Sequence, residues 1–357
     1  MKIAVIGSGI AGLSAAWLLS SKHEVTLFEK DNRIGGHSNT IEVQEKFDNI
    51  PIDTGFIVFN KKTYPNLVCL FHHLGVLTKP SEMSFSVSID GGTLEYAGTN
   101  INGLFGQRKN IFNSKFWQML FGVFDFYRNA PSLIQNHNDP LVSLGQFLDE
   151  ERFNKEFVRN HLIPMGSAIW SAAGGDLKKY PASAFVDFFK NHGLLNLINR
   201  PQWHTVLGGS CEYVKRILSD YQGKIQFFGV DMIQRNKNDI KLRLNNGAEE
   251  NFDHVVIAAH ANDAYSLLSD ASEAETALLS KWQYSQNQAV LHTDISVMPE
   301  RKRVWASWNF MGKHQDGENQ KVCVTYWMNR LQRFDSDHDY FVTLNANCEI
   351  SENKVIK

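Results

Sequence analysis

The chain has 357 residues and a net charge of −2, from 36 Lys and Arg against 38 Asp and Glu, with 43% hydrophobic and 12% aromatic side chains. That composition supports a large core and about two domains, excludes a disordered chain, and offers no bulk positive charge to a nucleic-acid backbone. The four cysteines, Cys69, Cys211, Cys323 and Cys348, lie far apart without a CxxC pair, so they predict neither a thiolate metal site nor a disulfide framework and fit a reducing cytoplasm.

The N-terminus reads as strand, tight turn, helix, strand. Lys2 to Ile6 is an aliphatic run suited to a buried parallel strand, Ile10 to Ser20 has the small and apolar residues of a helix packed on a sheet, and Val25 to Phe28 returns as a second strand. The apolar stretch Ile3 to Leu19 imitates a secretory signal, but Gly7, Gly9 and Gly12 and the second strand argue against one. No apolar run reaches the ~20 residues that span a bilayer. Between strand and helix stands Gly7-Ser8-Gly9-Ile10-Ala11-Gly12. The first glycine permits the turn, the second lets backbone approach a pyrophosphate at the helix N-terminus, and the third lets helix and strand pack closely. Glu29 ends the second strand, where a carboxylate can accept from ribose hydroxyls. Together these features predict a dinucleotide site.

The residues after Glu29 bear on which dinucleotide binds. An NAD fold would normally enter its next helix, whereas this chain continues Lys30-Asp31-Asn32-Arg33-Ile34-Gly35-Gly36-His37 and later Asp53-Thr54-Gly55-Phe56. On these segments the sequence resembles the FAD-dependent amine-oxidase and phytoene-desaturase-like flavoproteins. More narrowly, it is similar to bacterial amine-oxidase-domain, NAD/FAD-binding proteins akin to the oxidase-like region fused to some plant cyclopropane fatty acid synthases. The resemblance implies noncovalent FAD, with Gly7, Gly9, Ile10, Ala11 and Gly12 at the pyrophosphate and Glu29 and Lys30 at the adenosine ribose. It places Arg33, Gly35, Gly36 and His37 along the pyrophosphate and flavin, Gly55 and Phe56 in the next flavin-lining segment, Val230 on the adenine, and Ala258 close to the cofactor.

The implied architecture is α/β: a Rossmann-type FAD-binding domain, residues 1–75 and 205–265, and a discontinuous α+β substrate domain with a mixed sheet and helical cap, residues 76–204 and 266–345. The pattern supports strands at Ser84 to Ile89 and Thr93 to Tyr96, then helices over Leu141 to Glu151, behind Asp139-Pro140, and Ala182 to Lys190, behind Pro181. Further strands are expected at Lys224 to Ile233, Asp239 to Leu244 and Phe252 to Ala259, with Asn245-Asn246-Gly247 as a hairpin turn. Gln288 to Thr293, Val304 to Phe310 and Val322 to Asn329 read as strands of one sheet. Such flavoproteins usually close with a Gly-Asp strand and a helix aimed at the flavin. No Gly-Asp segment occurs after Asn329, so residues 346–357 are expected to be a tail at which the C-terminal FAD-binding segment is truncated.

Phe105 to Tyr127 is dense in aromatic residues and carries Arg108, Lys109 and Lys115, with Arg128 just beyond. Phe116, Leu120 and Phe124 share a helical face suited to a core, while the same basic, aromatic helix suits a lipid surface or an apolar channel. Thirteen histidines lack HExxH or CxxC company, so no metal site is expected. The serines of Pro164 to Ser171 do not form the GxSxG of a serine hydrolase. The expected activity is oxidation, desaturation or isomerisation of an apolar, lipid or acyl substrate, with Trp308, Asn309, Tyr326 and Asn329 as pocket candidates. Two alternatives stay open: an NAD-dependent dehydrogenase, and a noncatalytic flavin-binding accessory of a lipid-modifying system.

Overall fold

The computed structural model describes residues 1–46, 48–313 and 322–357. Two compact units emerge, one comprising 1–57, 66–79 and 205–286, the other 58–65, 80–204 and 287–357. The fold is mixed α/β.

In the first unit, β1 (Lys2–Ile6), α1 (Ile10–Ser20) and β2 (Glu24–Phe28) form the expected βαβ unit. Its parallel sheet runs Lys224–Gln226, β2, β1, His254–Ile257. The aliphatic sequence of β1 reflects its burial: Ile3, Ala4, Val5 and Ile6 are all shielded. Helix α1 buries Gly12, Leu13, Ala16 and Ser20, a narrow stripe of mostly small side chains that brings it close to the sheet.

The strands expected at 224–233 and 252–259 divide. Lys224–Gln226 pairs in parallel with β2, whereas Val230–Arg235 joins an antiparallel sheet with Ile240–Leu244 and Glu249–Phe252. Continuous apolar patterning carried no mark of this change of sheet; Gly229, whose carbonyl accepts from Asn245, lies at the break. The Asn245-Asn246-Gly247 turn forms as expected, with Gly247 at φ +84°. Phe28, Ile233, Leu242, Leu244 and Phe252 close the core over β1.

The second unit holds a six-stranded sheet in the order Ala289–His292, Phe341–Leu344, Cys323–Trp327, Trp308–Gly312, Phe85–Ile89, Leu94–Ala97. Trp308–Gly312 and Phe85–Ile89 pair in parallel and the other neighbours are antiparallel, so the sheet is mixed. Val304 leaves the expected strand for a 3-10 turn, Lys302–Val304, and Met328–Leu331 turns helical, which takes Asn329 off its strand. A helical layer includes Ser114–Gln135, Leu144–Glu150, Ile163–Trp170 and Ala182–Asn191.

Two helix readings need correction. The helix expected from Leu141 begins at Leu144, because Ser143 and Gln146 form a reciprocal capping box that outcompetes Asp139-Pro140 as a start. On Ser114–Gln135 the core face is Phe116, Met119, Val123, Phe126, Tyr127 and Ala130. Phe124, expected beside Phe116, is 53% exposed. Residues 346–357 dock on the sheet edge: Ile356 donates to the Leu291 carbonyl, and Ser351 N–H and the Lys354 ammonium both bind Asp294.

Candidate functional site

The glycine turn of the first unit is built from close backbone approaches. Gly7 has φ +97° and donates to the Phe28 carbonyl, tying the turn to β2. A Cβ on Gly12 would lie 1.8 Å from the Gly7 carbonyl oxygen, so α1 can reach the sheet only without a side chain there. Gly9 differs. Its own Cβ would meet nothing within 4 Å. It stands at the N-terminus of α1, where no side chain caps the helix and no acidic residue occupies the first turn. Free amides and the positive end of the helix dipole therefore border an open space that suits an anion. This cradle fits the pyrophosphate of FAD.

The second glycine doublet folds against the first. Gly35 donates to the Ser8 carbonyl and Oγ, and a Cβ on Gly36 would lie 2.9 Å from the Gly9 Cα. Arg33 holds this turn, since its guanidinium donates to the carbonyls of Ser38 and Gly36. Gly55 and Phe56 arrive beside it: Phe56 N–H donates to the His37 carbonyl, and a Cβ on Gly55 would meet that oxygen at 2.1 Å. Ala258 also belongs to the cluster, with its carbonyl oxygen 2.7 Å from where a Gly7 Cβ would stand. The sequence-expected positions Gly7 to Gly12, Arg33 to His37, Gly55, Phe56 and Ala258 thus converge. Val230 begins a strand next to Gly229, which lies against Lys30.

Glu29 has structural work as well as the expected role. Its Oε2 accepts from both the backbone N–H and the hydroxyl of Ser8, and Oε1 accepts from Asp31 N–H. Oε1 keeps one lone pair for a ribose hydroxyl. Glu29→Ala is expected to weaken FAD binding by about 1–3 kcal/mol and also to destabilise the flavin-free protein, because two backbone donors lose their acceptor. Equilibrium dialysis of FAD and urea titration of the apoprotein measure the two effects separately.

Several supporting contacts gave no sequence signal, although Asp53 itself opens the segment Asp53-Thr54-Gly55-Phe56. Asp53 is wholly buried and accepts from Thr40 Oγ1, Ser210 N–H and Ser210 Oγ at 2.6, 2.8 and 2.8 Å. Burial pushes its carboxyl up, against the lowering influence of those bonds. This network anchors the start of helix Cys211–Asp220 to the strand Asn49–Asp53 that leads into Gly55. Ser38 bonds the Tyr213 hydroxyl on the same helix. His260 stacks on Tyr284 at 4.1 Å and lies 6.2 Å from the His37 ring.

The second unit contains a cavity of about 730 Å³. Its apolar wall includes Phe85, Leu104, Leu120, Phe124, Met165, Ile169 and Trp308. Of the four pocket candidates, Trp308 lines it. Tyr326 packs edge-on against Trp308 at 4.8 Å, and burial pushes its hydroxyl well above the usual range. Asn309 is fully buried and spends its amide on Ser86, Ala306 and Thr325. Asn329 binds His338 and Tyr340. These two asparagines hold backbone in place and do not line the cavity.

A π-helical turn, Val158–Leu162, carries His161 into the same wall. The Tyr96 hydroxyl donates to the Asn160 carbonyl at 2.8 Å, so at 2.9 Å it must accept from His161 Nδ1–H. Nε2 is left to accept from Tyr127 O–H at 3.3 Å. Burial first, and then the charge of Arg200, lower the His161 pKa to about 4, so the ring is neutral at pH 7. Glu82 is the sole carboxylate among the described lining residues, and it pairs with Arg330 at 2.6 Å.

With this geometry in view, comparison with known proteins assigns the family. The family model for flavin containing amine oxidoreductases matches residues 10–333. The chain belongs to that family. FAD is the cofactor of such proteins, consistent with the glycine cradle. A 4,4'-diapophytoene desaturase of Staphylococcus aureus is 52% identical over 56 residues, a stretch covering 15% of this chain and 10% of that protein. Among solved structures, a CLA-producing fatty acid isomerase from P. acnes aligns with a TM-score of 0.65 at 14% identity, covering 98% of this chain and 78% of that one. Cyclohexylamine oxidase from Brevibacterium oxydans aligns with a TM-score of 0.67 at 16% identity, covering 96% and 74%. Both share the fold.

Proposed function

We propose that this chain is an FAD-dependent oxidoreductase acting on an apolar substrate, with an acyl chain preferred over an amine. The observation that carries the preference is the charge inventory of the cavity in the second unit. A buried ammonium needs a partner to offset its desolvation. Here Glu82 is already paired with Arg330, His161 is neutral, and the remaining charge on the described wall is Arg200. An acyl chain suits the aliphatic and aromatic surfaces, and a terminal carboxylate suits Arg200, the lining arginine that Glu82 does not pair. The names of the desaturase and the fatty acid isomerase support this reading.

On this reading the first unit binds FAD. Gly7 to Gly12 and the free amides of α1 hold the pyrophosphate, and Glu29 and Lys30 meet the adenosine ribose. Val230 borders the adenine, and Arg33 to His37, Gly55, Phe56 and Ala258 run along the remainder. Bound FAD would supply the hydride acceptor. The protein's part is to orient the chain and exclude water, and the apolar wall around Phe85, Met165 and Trp308 is suited to both.

Anaerobic mixing of the flavin-loaded protein with unsaturated fatty acids and with primary amines tests the proposal. Bleaching of the flavin with loss of two hydrogens from the lipid is the expected result for desaturation. An unchanged mass with a displaced double bond signals isomerisation. Bleaching by simple amines, with lipids inert, overturns the acyl preference.

A further inference from the structure

The long helix Ser114–Gln135 has an outer face that its core-facing side does not explain. Trp117, Phe121 and Phe124 repeat at i, i+4 and i+7, and all three are solvent-exposed, with Phe121 at 65%. Phe112, in the preceding 3-10 turn, is 92% exposed. Large aromatic side chains on a water-facing stripe mark an interaction surface. The charge of this stretch of chain is one-sided, and Arg128 continues the aromatic stripe at i+4 from Phe124. Between Ile101 and Gln135 the chain carries Arg108, Lys109, Lys115 and Arg128 against a single carboxylate, Asp125, in a protein whose net charge is −2. Asp125 accepts from the neutral Asn129 amide, so it offsets none of those cations through an ion pair in this helix.

We propose that this face docks on an anionic lipid bilayer. Aromatic rings reach the boundary between headgroups and acyl chains while Arg and Lys bind lipid phosphates. No helix among the described residues is long and apolar enough to cross a membrane, so the contact is an interfacial one. The surface continues into the cavity: Phe124 is both part of the exposed stripe and part of the cavity wall, and Leu197, also exposed, lines the same cavity. A lipid could pass from the bilayer into the cavity along apolar side chains. That last link rests on the acyl reading above, whereas docking itself needs no turnover.

Flotation of the 357-residue chain with phosphatidylcholine vesicles and with vesicles that also contain phosphatidylglycerol tests the proposal, with and without added FAD. Binding is expected only to the anionic vesicles and is expected to fall with salt. The pair Phe112→Ser and Phe121→Ser should lower partitioning about tenfold or more, since each removes a ring that would be buried in lipid. The pair Lys109→Glu and Arg128→Glu, the second on the same helical face as Phe121 and Phe124, should lower it by a similar factor while leaving the aromatic stripe intact. Both pairs sit at exposed positions, and unchanged urea midpoints verify the fold. Absence of vesicle binding overturns the proposal, as does binding that neither pair weakens. A wild-type dimer that the aromatic pair converts to monomer overturns it too, by giving the face to a second copy of the chain. Vesicle binding by a protein inert toward lipids would uphold docking and remove the acyl reading alone.

Discussion

Gly12→Ala is expected to cost the protein much of its stability, whereas the bulkier Gly9→Val should fold and purify without flavin. The order runs against side-chain size because the two glycines answer different demands. A methyl on Gly12 lands 1.8 Å from the Gly7 carbonyl oxygen and close to the Ala258 side chain, so α1 must move off the sheet. Overpacking against backbone lacks the relief that a flexible side chain gives, and a loss of about 3 kcal/mol or more is expected. Gly9 has φ −65° and ψ 177°, which valine adopts without strain, and the space beyond its Cα is open. The branched side chain would fill the pyrophosphate cradle, lowering FAD affinity about a hundredfold or more, roughly 2.7 kcal/mol. Urea midpoints and FAD titration separate the outcomes. A yellow Gly9→Val protein would show that the cofactor lies elsewhere, and a Gly12→Ala protein of ordinary stability would deny the close contact its role.

The same backbone demands explain why the glycine cluster was legible in the sequence. Backbone proximity and positive φ are demands that residue type records directly, so Gly7, Gly12, Gly35 and Gly36 announce themselves. The supporting network does not. Asp53 and Ser210 are 157 positions apart, and neither belongs to a motif that would pair them. Polar side chains in the sheet of the second unit were harder still. Asn309 sits in an aromatic-rich strand like a pocket residue, yet every bond of its amide serves the backbone or Ser86. Pattern reveals that a polar residue is present but not whether its hydrogen bonds are already spent. The helix start at Ser143 was available in the Ser-x-x-Gln spacing and was masked by the more conspicuous Asp139-Pro140. The cavity draws its wall from segments between Ser81 and Arg330, a convergence no local window contains.

Acidification below pH 6.5 should weaken the second unit through His161, whose network permits only the neutral ring. Nδ1–H is committed to Tyr96 and Nε2 accepts from Tyr127, while the rings of Phe157 and Tyr96 lie 6.0 and 6.2 Å from the imidazole. Protonating Nε2 would set a donor against the Tyr127 proton and bury a charge without a counterion. With a folded pKa of about 4 and an ordinary unfolded value of 6.5, the unfolded chain binds a proton between those limits that the folded chain refuses. Stability is therefore complete above pH 6.5 and falls as pH drops, by up to ~1.4 kcal/mol per unit and by about 3 kcal/mol in total near pH 4. His292, also lowered to about 4 chiefly by burial, adds to the loss in the same window. Asp53, whose carboxyl burial pushes up, opposes it, so the wild-type profile alone does not isolate one group. The difference between wild type and His161→Gln does. Urea midpoints at pH 7.5 and 5.0 should show the variant less stable at the higher pH, because its amide cannot reproduce both imidazole bonds, yet less sensitive to acid by about 2 kcal/mol. Equal acid sensitivity in the two proteins would mean that His161 takes up its proton within the fold, and that its wall of the cavity is not neutral at mildly acidic pH.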